Sequence, residues 1–293
     1  MATVLVPNAT DNFAASLQWQ RTRIDERLAV LLPAGGDPVA AAIRCGVMAP
    51  GKRLRPLLMV LAAEDLGQSD EAVLDLGCAV EMVHAASLFL DDMPCMDDAR
   101  LRRGRPTLHV EFGEDVAMLA AVALLSHALR LVAGLSGVPA EIRTQMVCQL
   151  ADAVGTAGLV CGQYHDLHGG RQTRPADAIA LTNQLKTGAL FSAAMGMAGV
   201  TLVTTATQRE AFQVFACQLG LAFQLLDDLD DGKGLGKDAG KDGDKSTLVS
   251  LLGRDHAQRQ LQSHLRQARE ALAQADCAEG ALAGLLDIVF RPR

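Results

Sequence analysis

A chain of 293 residues with a formal net charge of −7 at pH 7 has no basic excess with which to hold a nucleic-acid backbone, which argues against that class of partner. Nearly half of the residues are apolar (49%) and only 3% are aromatic, an Ala- and Leu-rich composition that favours helices and argues against a β-sandwich. The seven cysteines are scattered and lack CxxC spacing, so they read as reduced thiols of a cytosolic protein with no zinc site.

The N-terminus lacks a positive start followed by a long apolar stretch, so no signal peptide is expected. Residues 1–12 are expected to be disordered, and Phe13 to Leu32 to form a helix with Leu17, Ile24, Leu28 and Leu31 at helical spacing. A short helix over Val39 to Met48 leads to the basic loop Pro50-Gly51-Lys52-Arg53-Leu54-Arg55-Pro56, ahead of an apolar helix from Leu57 to Leu66. Such a loop at a helix start is suited to anions. Ser69 to Asp92 reads as one long helix capped by Ser69. His84 lies seven residues before Asp91, two turns away on the same side.

The first acidic cluster follows that helix: Asp91, Asp92, Asp97 and Asp98, then Arg100, Arg102, Arg103 and Arg105. Carboxylates with arginine forks close by suit Mg²⁺ and phosphate together. Asp91 and Asp97 are six apart and would diverge on a straight helix, so the chain must bulge around Pro94 to bring them side by side. Helices are then expected over Gly113 to Ala133, Pro139 to Gly158 and Pro175 to Val203, the last carrying Lys186-Thr187. Thr187 to Gln208 has no charged residue but is rich in Gly, Ser and Thr, and reads as a buried core helix rather than a membrane span. Thr207 to Asp231 ends in a second acidic cluster, Asp227, Asp228, Asp230 and Asp231, in which Asp227 and Asp231 share one helix face. A Gly/Lys/Asp-rich loop and two more helices, Asp255 to Gln274 and Glu279 to Phe290, complete a single domain over 1–293. The paired clusters point to two walls of one metal–diphosphate site.

DDMPCMDD with RRGRPTLH, together with FQLLDDLDD, resembles the trans-isoprenyl diphosphate synthases, most nearly the bacterial geranylgeranyl diphosphate synthases of the carotenoid-pathway type. The likeness runs from about Pro50 to about Gly253. It implies an all-α isoprenoid synthase fold, with antiparallel helices around a deep central cavity, and a cytoplasmic homodimer without stable membrane insertion. It implies Mg²⁺, three ions with substrate bound, with Mn²⁺ as an alternative. The resemblance assigns Asp91, Asp97 and Asp227 to the metal, with Asp92, Asp228 and Asp231 in support. It assigns Lys52, Arg55, His84 and Arg103 to isopentenyl diphosphate. It assigns Arg102, Lys186, Thr187, Gln224, Lys237 and Lys245 to the allylic diphosphate, with Lys241 as the alternative to Lys237. GQYHDL at Gly162 to Leu167 matches a segment that supports the site, with Asp166 as a partner for its basic groups.

The implied reaction is head-to-tail 1'-4 condensation by ionisation, condensation and elimination. Ala86 and Ser87, small residues about one turn before Asp91, leave room for a twenty-carbon product. A farnesyl or longer product is the nearest alternative. A terpene cyclase fits poorly with one Trp, one Tyr and a second diphosphate site. A non-catalytic partner subunit fits poorly with two intact acidic clusters. An EF-hand is excluded because Leu229 falls where an oxygen ligand is required.

Overall fold

The computed structural model describes residues 9–69, 71–169, 175–231 and 248–291. Among these the chain is helical almost throughout: α1 (Ala9–Leu31), α2 (Pro38–Val47), α3 (Leu54–Asp65), α4 (Glu71–Asp91), α5 (Leu108–Phe112), α6 (Glu114–Ala133), α7 (Ala140–Val154), α8 (Leu159–His168), α9 (Ala176–Asn183), α10 (Ala189–Thr201), α11 (Ala206–Asp231), α12 (Leu248–Leu252), α13 (Arg254–Gln274) and α14 (Ala281–Val289). The described sheet structure is one two-residue hairpin, β1 (Leu101–Arg102) paired with β2 (Arg105–Pro106). The first helix starts at Ala9, inside the segment expected to be disordered.

Helix α4 is the central element. It packs against α1, α2, α3, α6 and α10. Its residues are apolar nearly all round, and Leu76, Cys78, Ala79, Val80, Met82 and Ala86 are fully buried, as expected of a helix enclosed by others. Helix α6 faces it with small side chains, Ala117, Ala120, Ala121 and Ala128, around Leu124. Helix α11 packs on α10 and α13. A second, smaller core forms where Ala222, Leu225 and Leu229 meet Leu261 and Leu265.

Helix α6 fills the span expected over Gly113 to Ala133, with Gly113, at φ 96°, separating it from the short α5. The helix expected over Pro139 to Gly158 stops at Val154, and a turn over 155–158 leads into α8. The expected helix over Pro175 to Val203 begins at Ala176 and contains one π-helical turn, Gln184–Gly188, before α10. Two helices, Glu71–Asp91 and Glu114–Ala133, are long and apolar enough to cross a bilayer. The first is mostly buried within the fold, whereas the second buries one face only. Thr187 to Gln208 is not one helix, since α10 ends at Thr201 and α11 begins at Ala206 with exposed Val203 between them, but Leu190, Phe191, Ala194, Met195 and Met197 lie inside the core as the composition suggested.

The C-terminal helix is fastened from afar. Asp65, at the end of α3, accepts hydrogen bonds from the first backbone N–H groups of α14, Ala281 and Leu282, the latter at 3.1 Å. Gly280 is needed there, because a Cβ would run into the Asp65 carboxyl group.

Candidate active site

The turn after α4 folds back as the Pro94 argument requires. Asp97 N donates to Asp91 O at 2.9 Å, and Asp98 N and Ala99 N donate to Met93 O and Asp92 O at 3.0 and 3.2 Å. Asp98 takes a left-handed conformation, φ 47°, to make the return. The chain then enters the hairpin, whose central residues Arg103 (φ 54°) and Gly104 (φ 76°) both have the positive φ of a type I′ turn. Arginine is uncommon at such a position, and strain of this kind gathers at working sites. Thr107 closes the loop, its Oγ1 donating to Ala99 O at 2.8 Å.

Asp92, at 4% exposure, is gripped by Arg102: Nε reaches both carboxylate oxygens at 2.9 and 2.8 Å, and Nη2 reaches Oδ1 at 2.6 Å. Arg102 therefore ties the hairpin to the end of α4. Asp91 is in a different state. Burial raises its pKa to about 6, Lys186 and Arg102 act against that rise, and Asp97 and Asp92 add to it. The group holds its proton below about pH 6 unless a cation joins it. A divalent ion must displace that proton, so apparent Mg²⁺ affinity should fall about tenfold per pH unit below about 6 and level off above it. Calorimetric Mg²⁺ titrations from pH 5 to 8 check this; a flat profile contradicts it.

The opposite wall is α11 with the π-helical turn. Thr187 Oγ1 donates to Gln224 Oε1 at 3.1 Å, and Gln224 Nε2 donates to Asp228 Oδ1 at 2.8 Å. This chain of bonds connects Thr187 and Gln224, two of the expected allylic-site residues, with Asp228. Lys186 Nζ donates to Asp166 Oδ2 at 2.6 Å, so Asp166 partners a basic group as expected. The π turn, which sequence reading missed, aims Lys186 at that carboxylate. Its backbone runs so close to α8 that a Cβ on Gly162 would overlap Lys186 N and Leu185 C. The Gly-Gln pair of GQYHDL was the available signal for that close approach.

The third side is cationic. Arg55 is half-buried with its guanidinium 4.6 Å from the Phe191 ring centre, and its buried Nε has no acceptor among the described residues. Burial lowers its pKa to about 10, with Glu81 and Asp227 opposing and Arg103 reinforcing the fall. Exposed Lys52 sits 5.4 Å from the Phe223 ring centre. Burial holds His84 well below the usual histidine range, and Arg55, Arg103, Arg102 and Arg53 push it the same way. His84 is thus a neutral imidazole facing an arginine cluster. Arg103 Nη1 donates to Pro50 O at 2.7 Å, joining the hairpin to the basic loop.

Ala86 is fully buried, whereas Ser87 keeps partial exposure and donates to His84 O at 2.9 Å. Lys237, Lys241 and Lys245 lie outside the described residues, as does the Asp231 side chain. Among the described residues no three His, Cys, Asp or Glu side chains form a metal cluster by themselves. Hard carboxylate oxygens arranged in a pair, Asp91 with Asp97, fit Mg²⁺, which is ordinarily held by one or two carboxylates and completed by substrate phosphate and water.

The polyprenyl synthetase family model matches residues 37–282. The chain is 52% identical over 262 residues to a geranylgeranyl diphosphate synthase of Pantoea ananas, covering 88% of this chain and 86% of that one. It is 50% identical over 279 residues to the geranylgeranyl diphosphate synthase of Pseudescherichia vulneris, covering 94% and 91%. The structure is similar to that of an FPP/GFPP synthase from Zymomonas mobilis, with a TM-score of 0.85, 32% identity, and coverage of 96% of this chain and 99% of that one. That neighbour identifies the helical array as the isoprenoid synthase fold. Matched over most of its length by sequence and by shape, the chain belongs to the polyprenyl synthetase family.

Proposed function

We propose that this chain is a geranylgeranyl diphosphate synthase, joining isopentenyl diphosphate head to tail to an allylic diphosphate. The observation that carries the reading is one cluster in which a fold-back carboxylate pair, Asp91 and Asp97, is set against cationic groups that include Arg55, whose buried Nε has no acceptor among the described residues. The names of the two half-identical relatives support the twenty-carbon product.

The C–O bond of the allylic diphosphate breaks first, leaving an allylic cation and diphosphate. Mg²⁺ held by Asp91, Asp97 and Asp227 would supply neutralising charge to the leaving diphosphate. Lys186 and Arg102, released in part from Asp166 and Asp92, would add to it, with Lys237 and Lys245 from the segment after α11. Thr187 and Gln224 present oxygen dipoles to the developing cation. Asp92, Asp228 and Asp231 support the metal ligands. Lys52, Arg55, Arg103 and neutral His84 hold isopentenyl diphosphate so that its double bond faces that cation. The alkene attacks, a new C–C bond forms, and the proton lost from the adduct passes to the departed diphosphate.

Because Ala86 is covered, Ser87 is the member of the small pair that a growing tail meets first. Ser87→Phe should shift the main product from geranylgeranyl to farnesyl diphosphate, read by chromatography of the dephosphorylated alcohols; an unchanged product contradicts the pocket assignment. The enzyme is a cytoplasmic homodimer, its second copy on the apolar side of α6, where Met118, Leu119 and Val122 are 46, 55 and 61% exposed. A sedimentation mass of one chain would overturn that. The overall test is incubation with isopentenyl diphosphate, Mg²⁺ and each allylic primer. Geranylgeraniol as the main alcohol supports the reading. Farnesol or longer alcohols keep the chemistry and move the pocket floor, and no elongation from a folded protein favours a non-catalytic partner subunit.

A further inference from the structure

The basic loop contains a cation that points the wrong way for a ligand. Arg53, between Lys52 and Leu54, is only 5% exposed and stands in the left-handed region at φ 49°. Its Nε donates to Asp25 Oδ1 of α1 at 2.7 Å, its Nη1 to Glu81 Oε1 of α4 at 3.0 Å, and its Nη2 to Ala49 O at 3.1 Å. All three nitrogens are therefore committed to protein. The backbone turn that this requires lies between Lys52 and Arg55, so it sets the direction in which those two side chains leave the loop. Arg103 fastens the same loop from the other side through Pro50 O, and Gly51 admits it, since a Cβ there would lie 2.7 Å from Arg103 Nη1. Glu81, itself 5% exposed, also attracts Arg55 and Arg103, so one buried carboxylate offsets part of the repulsion among three guanidinium groups.

We propose that Arg53 is a positioning residue, held by Asp25 and Glu81, that fixes the 49–56 loop so that Lys52 and Arg55 converge on one diphosphate. This rests on the assignment of that loop to isopentenyl diphosphate. Arg53 does not touch the substrate; it acts through Lys52 and Arg55. Asp25, on a helix that carries none of the site motifs, belongs to the same device.

The test is a comparison of steady-state kinetics of the full-length wild-type enzyme with Asp25→Asn and Arg53→Lys. Asp25 is partly exposed, so Asp25→Asn leaves the core packing intact. Arg53→Lys keeps the charge and loses the fork. A misaligned half-site should raise KM for isopentenyl diphosphate about tenfold in Asp25→Asn and more in Arg53→Lys, with KM for farnesyl diphosphate within about twofold. Asp25→Glu should restore most of the loss. Equal rises in both KM values, or no change in either variant, would overturn the proposal. If wild-type protein elongates no primer, the reading of function fails separately. Calorimetric titration of isopentenyl diphosphate onto the same proteins then decides the positioning claim by the same contrast, weaker binding in the variants supporting it and unchanged binding overturning it.

Discussion

Asp91→Asn is expected to lower kcat on the order of 10³-fold while leaving the helical circular dichroism unchanged. The substitution keeps the shape of the side chain and removes the charge proposed to hold the metal beside the leaving diphosphate. Its large effect follows from position. Asp91 ends α4, faces Lys186 across the cleft, and has Asp97 folded back onto its own carbonyl. Asp98→Asn, in the same cluster, should cost far less, because Asp98 serves the turn through its left-handed backbone. A loss of less than tenfold in Asp91→Asn, measured at saturating Mg²⁺ and both substrates, would contradict the assignment.

The second large effect is on stability. Glu81→Ala should destabilise the fold by about 3–5 kcal/mol, because it leaves buried Arg53 with only the half-exposed Asp25 as a charge partner. Arg53 and Glu81 are each 5% exposed and joined at 3.0 Å, with Arg55 and Arg103 close enough to feel the same carboxylate. Surface pairs such as Arg266 with Glu270 should contribute less than about 1 kcal/mol. Urea unfolding followed by circular dichroism measures both, and a shift below about 1 kcal/mol for Glu81→Ala would show that Arg53 finds another partner.

Much of the site was legible in the sequence because its constraints are local. A proline cannot continue a regular helix, and six residues cannot place two carboxylates on one face, so the return at Pro94 could be reasoned from Asp91 to Asp97 alone. The resemblance named Lys186, Asp166, Thr187 and Gln224 as site residues, but that Lys186 pairs with Asp166 and Thr187 with Gln224 appears only in the fold, since each pair joins elements distant in the chain. The helix breaks were less legible. The turn over 155–158 is too brief to register against the apolar periodicity from Pro139 to Gly158, and a π turn changes one hydrogen-bond register without changing composition. Arg53 was read as one more cation of a basic loop. Only the tertiary arrangement, with Asp25 arriving from α1 and Glu81 from α4, turns it into the protein. Glu81 did carry a signal of its own, as the one carboxylate in the apolar stretch from Leu76 to Leu90, three residues before His84.

Binding of a diphosphate through Mg²⁺ by these carboxylates and cations is tested most directly by calorimetric titration of farnesyl diphosphate onto the enzyme with and without Mg²⁺, repeated with Asp91→Asn. Mg²⁺ should tighten binding to the wild type by about 10²-fold or more, and Asp91→Asn should lose most of that gain. Binding of equal strength with and without Mg²⁺, or a gain that survives Asp91→Asn, would contradict it.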